Sequence, residues 1–349
     1  MNSMIEVDNS TVENRRRILR SRFAVAIFGA ALITVAACSG DGRTDANVTG
    51  AGASAASATT EQPASSTTRT PFASTTVAST DETGTTVVTS DVAAARPSET
   101  VDELVDIEGG RVHVRCVGSG DTTVLLIAGF ESGDDSWGKV EPDIAARARV
   151  CSYARPGTGT SDPAVSTQTF ATQATQLSAL LATIGEPGPY VVVGHSFGGA
   201  EAITFASLYA DQVTGLVLID ASPATWPTEL CAVADDGSES AAFVRSNCAG
   251  WADPTGNVEH LDVFASFKEV AGIESLGSLP MTVITAVDRQ FPGLAAAELA
   301  RLTEAWNQGQ QRWSDLSSTS QVVPVEDTSH HIELDRPDVV IEAILRLLP

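Results

Sequence analysis

From Tyr190 to Gly199 a β-branched apolar strand, Tyr190 to Val193, runs directly into the turn Gly194-His195-Ser196-Phe197-Gly198. A serine in a Gly-x-Ser-x-Gly turn between strand and helix holds a strained backbone that lifts its hydroxyl clear of the chain. Side chains two residues to either side would collide there, so glycine is required at 194 and 198 on steric grounds. In isolation such a motif can be a flexible turn, and this chain has 28 glycines. Its placement decides the reading, because a helix-like stretch, Ala200 to Tyr209, follows it. Ser196 is therefore the candidate nucleophile, and Gly199 and Ala200 allow the helix to approach the sheet closely.

Five arginines, at 15–17, 20 and 22, precede the uncharged run from Phe23 to Ala37. A basic segment followed by an apolar one is the pattern of an export signal. As a helix, those fifteen residues reach about 22 Å, short of the roughly 30 Å hydrocarbon core, so a permanent span is disfavoured. The run closes on Val35-Ala36-Ala37-Cys38-Ser39-Gly40, which resembles the lipobox of bacterial lipoproteins. That resemblance makes residues 1–37 a lipoprotein signal peptide and Cys38 a lipidated mature N-terminus. It also implies an exported protein on the outer face of the bacterial cell membrane, held by enough acyl chain for stable anchoring. An ordinary cleaved signal with an incidental cysteine is the alternative.

Residues 38–100 are dominated by Ala, Ser, Thr and Gly, with Phe72 the lone aromatic. Such a composition cannot bury enough apolar surface to offset its chain entropy, and a disordered linker is expected. The segment 101–349 is long enough for one large α/β domain with its own core.

The chain carries a formal charge of −23; removing residues 1–37, with five Arg against Glu6, Asp8 and Glu13, leaves −25. That charge repels nucleic acid and anionic membrane surfaces and disfavours both as partners. Apart from Cys38, four cysteines remain, an even number that suggests two disulfides in an exported protein. The Cys/His spacing matches no structural zinc site.

Strand-like segments occur at 101–107, 111–117, 123–127, 150–153, 190–193, 215–220, 281–287 and 321–326, with helix-like stretches at 169–184, 294–316 and 337–348. An opening hairpin followed by strand-helix alternation predicts a mostly parallel, doubly wound sheet.

Over most of 101–349 these segments resemble the α/β-hydrolase superfamily. Ile127-Ala128-Gly129-Phe130 falls where that family has its oxyanion loop, with Ala128 in place of the usual histidine. Tyr153 to Ser161 resembles its Tyr-Asp-Arg-x-Gly-x-Gly-x-Ser loop, with Ala154 replacing the acid. This loop lacks the lysine of a phosphate-binding loop and reads as a tight turn. Ser329 to Pro337 resembles the catalytic-histidine loop after the last strand. The resemblance implies a cap inserted after the sixth strand, about 221–280, where Trp226, Phe243, Trp251, Phe264 and Phe267 either shape a substrate pocket or form the cap's own core. It also sets the second strand beside the fourth, implying a Cys116–Cys151 disulfide, with Cys231–Cys248 closing a loop inside the cap. Free buried thiols are the alternative for the first pair.

Serine needs an imidazole to take its proton and a carboxylate to hold that imidazole in the right tautomer. Counting back from Pro337 as the family does gives His330 as base, with His331 the alternative. Asp220, ending an apolar strand, is the preferred acid and Asp288 the alternative. His195 reads as packing, and His113 and His260 as structural. The motifs put the oxyanion donors at the backbone N–H groups of Phe130 and Phe197. The expectation is a serine hydrolase acting on a small ester or acyl substrate through an acyl-enzyme, an esterase or lipase, requiring no metal or organic cofactor. Peptidase, lactonase, carbon–carbon hydrolase or acyltransferase chemistry on the same residues, and a non-catalytic envelope binding protein, are the alternatives. An aspartate would be expected in place of Ser196 in a haloalkane or epoxide hydrolase.

Overall fold

The computed structural model describes residues 98–287 and 293–349. Eight strands there form one sheet: β1 (Val101–Ile107), β2 (Gly110–Val117), β3 (Thr123–Ile127), β4 (Arg149–Tyr153), β5 (Tyr190–His195), β6 (Val213–Ile219), β7 (Met281–Ala286) and β8 (Ser320–Val325). Their order is β1-β2-β4-β3-β5-β6-β7-β8. The pairs β1–β2 and β2–β4 are antiparallel, and β4 through β8 are all parallel. The signal-peptide and lipidation readings, most of the linker, and Asp288 lie outside the described residues.

The central strands β3, β4 and β5 are buried along their whole length because both faces of a parallel sheet are covered. Side chains alternate between two cores. Val124, Leu126, Val191 and Val193 face a layer with Trp137, Ile144, Val340 and Ile344. Leu125, Ile127 and Val192 face Leu177, Leu181, Ile203 and Phe205. The first layer comes from the 3-10 turn Asp134–Trp137 and helices α1 (Glu141–Ala145) and α9 (Pro337–Leu345), the second from α2 (Phe170–Thr183), α3 (Phe197–Leu208) and α7 (Ala296–Ser314). The short α8 (Ile332–Asp335) precedes α9, and α4 (Trp226–Cys231), α5 (Glu239–Ala252) and α6 (Val263–Ala271) occupy the insertion between β6 and β7. Full burial of each such aliphatic side chain stabilises by about 1.5–3 kcal/mol.

Most expected elements occur within a residue or two of their sequence bounds. The helix after Ser196, however, begins at Phe197, three residues earlier than its composition indicates, because Ser196 itself serves as the residue before the first turn. The final helix stops at Leu345, short of the expected 348. Within the cap, strand-helix alternation gives way to three helices. Ser238 and Asp262 start two of them by accepting backbone hydrogen bonds from Ala241 and Ala265.

Strand order brings Cys116 and Cys151 directly opposite each other on β2 and β4, with Cα atoms 4.1 Å apart and a disulfide between them. A second disulfide, Cys231–Cys248, ties the end of α4 to α5 with Cα atoms 5.7 Å apart. Beneath the β4 end of the sheet the ion pair Arg149–Glu186 is fully buried, and Arg149 Nη1 also donates to the Glu99 carbonyl at 2.8 Å.

Candidate active site at the end of strand β5

Ser196 has φ 54° and ψ −123°, a conformation that non-glycine residues rarely adopt and that costs of order 1–3 kcal/mol. Its surroundings leave no room for larger neighbours. A Cβ at Gly194 would lie 2.3 Å from the Gly198 carbonyl oxygen, one at Gly198 would lie 2.2 Å from that of Ala128, and one at Gly199 would meet the Ala221 Cβ at 2.4 Å. The three glycines thus let strand, helix and the loop after β3 converge on one serine.

Three side chains from three strand ends meet there. His330 Nε2 lies 2.9 Å from Ser196 Oγ, and His330 Nδ1 lies 2.7 Å from Asp220 Oδ2. Asp220 is fully buried at the end of β6. Its Oδ1 accepts from Trp306 Nε1 (3.1 Å), the Ala286 amide (3.2 Å) and Thr285 Oγ1 (3.2 Å). Several donors on a buried carboxylate favour its charged form and fix its direction. With Asp220 accepting at Nδ1, His330 carries its proton there and offers a bare Nε2 to the serine hydroxyl. Ser196 Oγ also lies 3.3 Å from Ser222 Oγ. Trp306, Thr285 and Ser222 have no local motif; non-local folding alone reveals them.

Of the alternatives, His331 is turned to Glu333, with Nδ1 3.0 Å from Oε1. His195 is buried and its Nε2 lies 3.0 Å from the His330 carbonyl oxygen, so it braces the loop carrying His330. Burial lowers its pKa to about 4. Burial opposes ionisation of Glu333, but the flanking imidazoles of His195 and His331 outweigh this and hold its pKa below the ordinary value. His113 bridges Asp134 and Asp102 at 2.9 and 3.0 Å, away from Ser196.

Phe130 and Phe197, the expected oxyanion positions, stack with ring centroids 5.0 Å apart, and a Cβ at Gly129 would lie 3.4 Å from the Ser196 Cβ. The loop after β3 therefore abuts Ser196. From the cap, Trp251 and Phe267 pack on Phe197 with centroids 5.7 and 4.8 Å away. Trp226 packs edge-on against Trp306 at 4.6 Å. Phe243 and Phe264 are 39% and 38% exposed, which sets them apart from this aromatic wall.

Residues 122–239 match the family model described as alpha/beta hydrolase fold. A solved serine hydrolase involved in carbazole degradation, the CarC enzyme, superposes with a TM-score of 0.51 at 18% identity, covering 71% of this chain and 98% of that one. This chain has the α/β-hydrolase fold. Lipase LipV of Mycobacterium tuberculosis is 37% identical over 114 residues, 31% of this chain and 41% of LipV. A 2-hydroxy-6-oxononadienedioate/2-hydroxy-6-oxononatrienedioate hydrolase of Paraburkholderia phymatum is 35% identical over 121 residues, 32% of this chain and 42% of that protein. The match thus spans less than half the length of either curated relative.

On this α/β-hydrolase scaffold one buried guanidinium organises the loop beside Ser196. Arg155 Nη1 donates to the Ala128 carbonyl at 2.8 Å, and Nη2 donates to that of Gly129 at 2.5 Å. With those carbonyls turned toward Arg155, the loop's following amides are free to face elsewhere. Glu259, reaching in from the cap, accepts from Arg155 Nε (2.8 Å), Gln173 Nε2 (3.0 Å) and the Glu131 amide (2.6 Å). Glu131 itself has φ 57°. A second acid, Glu201 of α3, lies 3.3 Å from Arg155 and shares a short hydrogen bond with the Tyr153 hydroxyl. Burial raises the Glu201 pKa to about 7 even against the pull of Arg155. One cation between two acids leaves one negative charge in excess, and Glu201 is where a proton relieves it. Arg155 is the family-like arginine of the Tyr153–Ser161 loop; Glu259 carries no sequence signal.

Proposed function

We propose that this chain is a serine hydrolase, and within that class a carboxylic ester hydrolase working through an acyl-enzyme. The observation that carries the reading is His330, whose two ring nitrogens lie within hydrogen-bond distance of Ser196 Oγ and Asp220 Oδ2. In this reading Ser196 Oγ attacks the substrate carbonyl carbon as its proton passes to His330 Nε2, and Asp220 stabilises the imidazolium so formed. The backbone N–H groups of Phe130 and Phe197 bind the oxyanion, each such donor typically contributing about 3 kcal/mol to barrier lowering. Collapse expels the alcohol, which takes the proton from His330 and leaves an acyl group on Ser196. Water, deprotonated by His330, then releases the acid. No step calls on a metal or organic cofactor.

The aromatic wall formed by Phe130, Phe197, Trp251 and Phe267 supports an apolar acyl portion. The names of the relatives, a lipase and a hydrolase of a dicarboxylic hydroxy-oxo acid, support hydrolysis as the reaction class. A series of p-nitrophenyl esters from acetate to palmitate tests the reading. Turnover of at least the short and medium chains is expected, and no turnover at any chain length would overturn the ester assignment.

The same reading places the enzyme on the outer face of the cell membrane through a lipidated Cys38, supported by the Arg-rich and apolar segments before it. Mass spectrometry of the mature N-terminus is expected to find a diacylglyceryl-modified Cys38. An unmodified soluble product would contradict it.

A further inference from the structure

Beside His330, three side chains that the hydrolytic chemistry leaves unused converge. One ring nitrogen each of His195 and His331 and a Glu333 carboxylate oxygen all lie within 4.8 Å of one another. The chemistry of each atom is fixed by its other contacts. The His330 carbonyl can only accept, so the His195 Nε2 that faces it carries the ring proton and Nδ1 is a bare lone pair. That lone pair faces Glu333 Oε1 at 3.7 Å, one acceptor opposite another. Glu333 is 1% exposed, and its second oxygen, Oε2, is buried with no hydrogen-bond partner. A buried carboxylate oxygen left unpartnered is costly, and a cation is the simplest group that would satisfy it.

The geometry resembles that of a metal centre in two further respects. The rings of His195 and His331 have centroids 5.0 Å apart, about the separation of two imidazoles that share a tetrahedral ion at 2.0–2.1 Å. The outer nitrogen of His195 is anchored to a backbone carbonyl, the usual way a ligating imidazole is oriented. Two imidazoles and one carboxylate are the donor set of a borderline divalent ion, zinc above all, with solvent at the fourth position. His331 is the partly exposed member and offers the entry path.

We propose that His195, His331 and Glu333 form a binding site for a zinc-like divalent cation, and that its occupation suppresses hydrolysis at the neighbouring Ser196. The second half rests on the functional reading above. The cation binds as His331 Nδ1 releases its proton to solvent. The His195 and His330 rings are 4.7 Å apart and His195 Nε2 holds the His330 carbonyl, so a cation that draws the His195 ring toward Glu333 displaces the loop that sets His330 against Ser196. The site is inhibitory, with no part in bond breaking.

Calorimetric titration of the chelator-treated full chain with Zn²⁺ alone tests the site, alongside p-nitrophenyl ester turnover at the same zinc concentrations. The expected result is one zinc per chain, inhibition with the same midpoint, and both weakened at least tenfold in His331→Ala, with Glu333→Gln as a second variant. Failure of zinc to bind, binding unchanged in both variants, or turnover indifferent to saturating zinc would overturn the proposal. Absence of ester turnover in the zinc-free wild type would instead be a failure of the functional reading, and the calorimetry would still report on the site.

Discussion

Trp306 Nε1 donates to Asp220 Oδ1 at 3.1 Å, leaving Oδ2 for His330. The tryptophan comes from the middle of α7 and is itself buried, with its ring edge-on to His330 at 5.4 Å. It therefore couples the helix after the cap to the direction in which the carboxylate points.

Trp306→Phe keeps most of the ring and removes the donor. Hydrogen bonds to charged groups are worth about 1.5–3 kcal/mol, so ester turnover is expected to fall by roughly tenfold or more with little change in KM. Steady-state kinetics on p-nitrophenyl acetate checks this. An unchanged kcat would mean that Thr285 and the Ala286 amide suffice to hold Asp220.

Glu259→Gln separates the cap from the loop after β3 while conserving shape. Misplacement of an oxyanion loop by about an ångström can cost 10²-fold in rate, and a kcat loss of that order is expected. Circular dichroism should show the fold retained, since Arg155 keeps Glu201 as a partner. Wild-type kcat in this variant would show that Arg155 alone orders the loop.

Glu201 sets a pH dependence of stability. Its folded pKa, about 7, lies above the ordinary carboxylate value, so the folded state binds the proton more tightly than the unfolded chain. The resulting stabilisation is fully present below about pH 4.5 and is lost as pH rises through about 7. Glu201→Gln should flatten the profile over that window. Melting temperatures from pH 4.5 to 8 measure it, and parallel wild-type and variant profiles would contradict the assignment.

Cys231 and Cys248 are 17 residues apart, and Cys116 and Cys151 are 35 apart. On loop-entropy grounds each bridge contributes about 3 to 4 kcal/mol. Cys231→Ser with Cys248→Ser should lower the melting temperature by several degrees, and non-reducing peptide mapping should recover the other bridge intact. Recovery of Cys116 linked to a cap cysteine would contradict the strand order.

What the sequence reveals of this site follows the range of the interaction involved. Ser196 is legible because its constraint is local: strand, two glycines and helix within a dozen residues. His330 is legible from its fixed spacing to Pro337, where α9 begins. The acid is only half legible, since a carboxylate ending any parallel strand could reach the histidine; Asp220 ends β6 beside it, and Asp288 lies outside the described residues. Trp306 and Glu259 are invisible in the chain because they act across 86 and 104 residues, on Asp220 and Arg155. The cap helices were hidden differently. Ser238 and Asp262 are ordinary capping residues, but α5, rich in polar and small residues, shows little period, and α6, though amphipathic, is only nine residues long.

The central claim is that Ser196 is a nucleophile activated by His330, and covalent capture by a fluorophosphonate addresses it most directly. Intact-mass and peptide analysis of the labelled full chain should find a single adduct on Ser196, none in Ser196→Ala, and labelling slowed by roughly 10³-fold in His330→Ala but only slightly in His331→Ala. No adduct on the wild type, or one on a residue other than Ser196, would contradict the account.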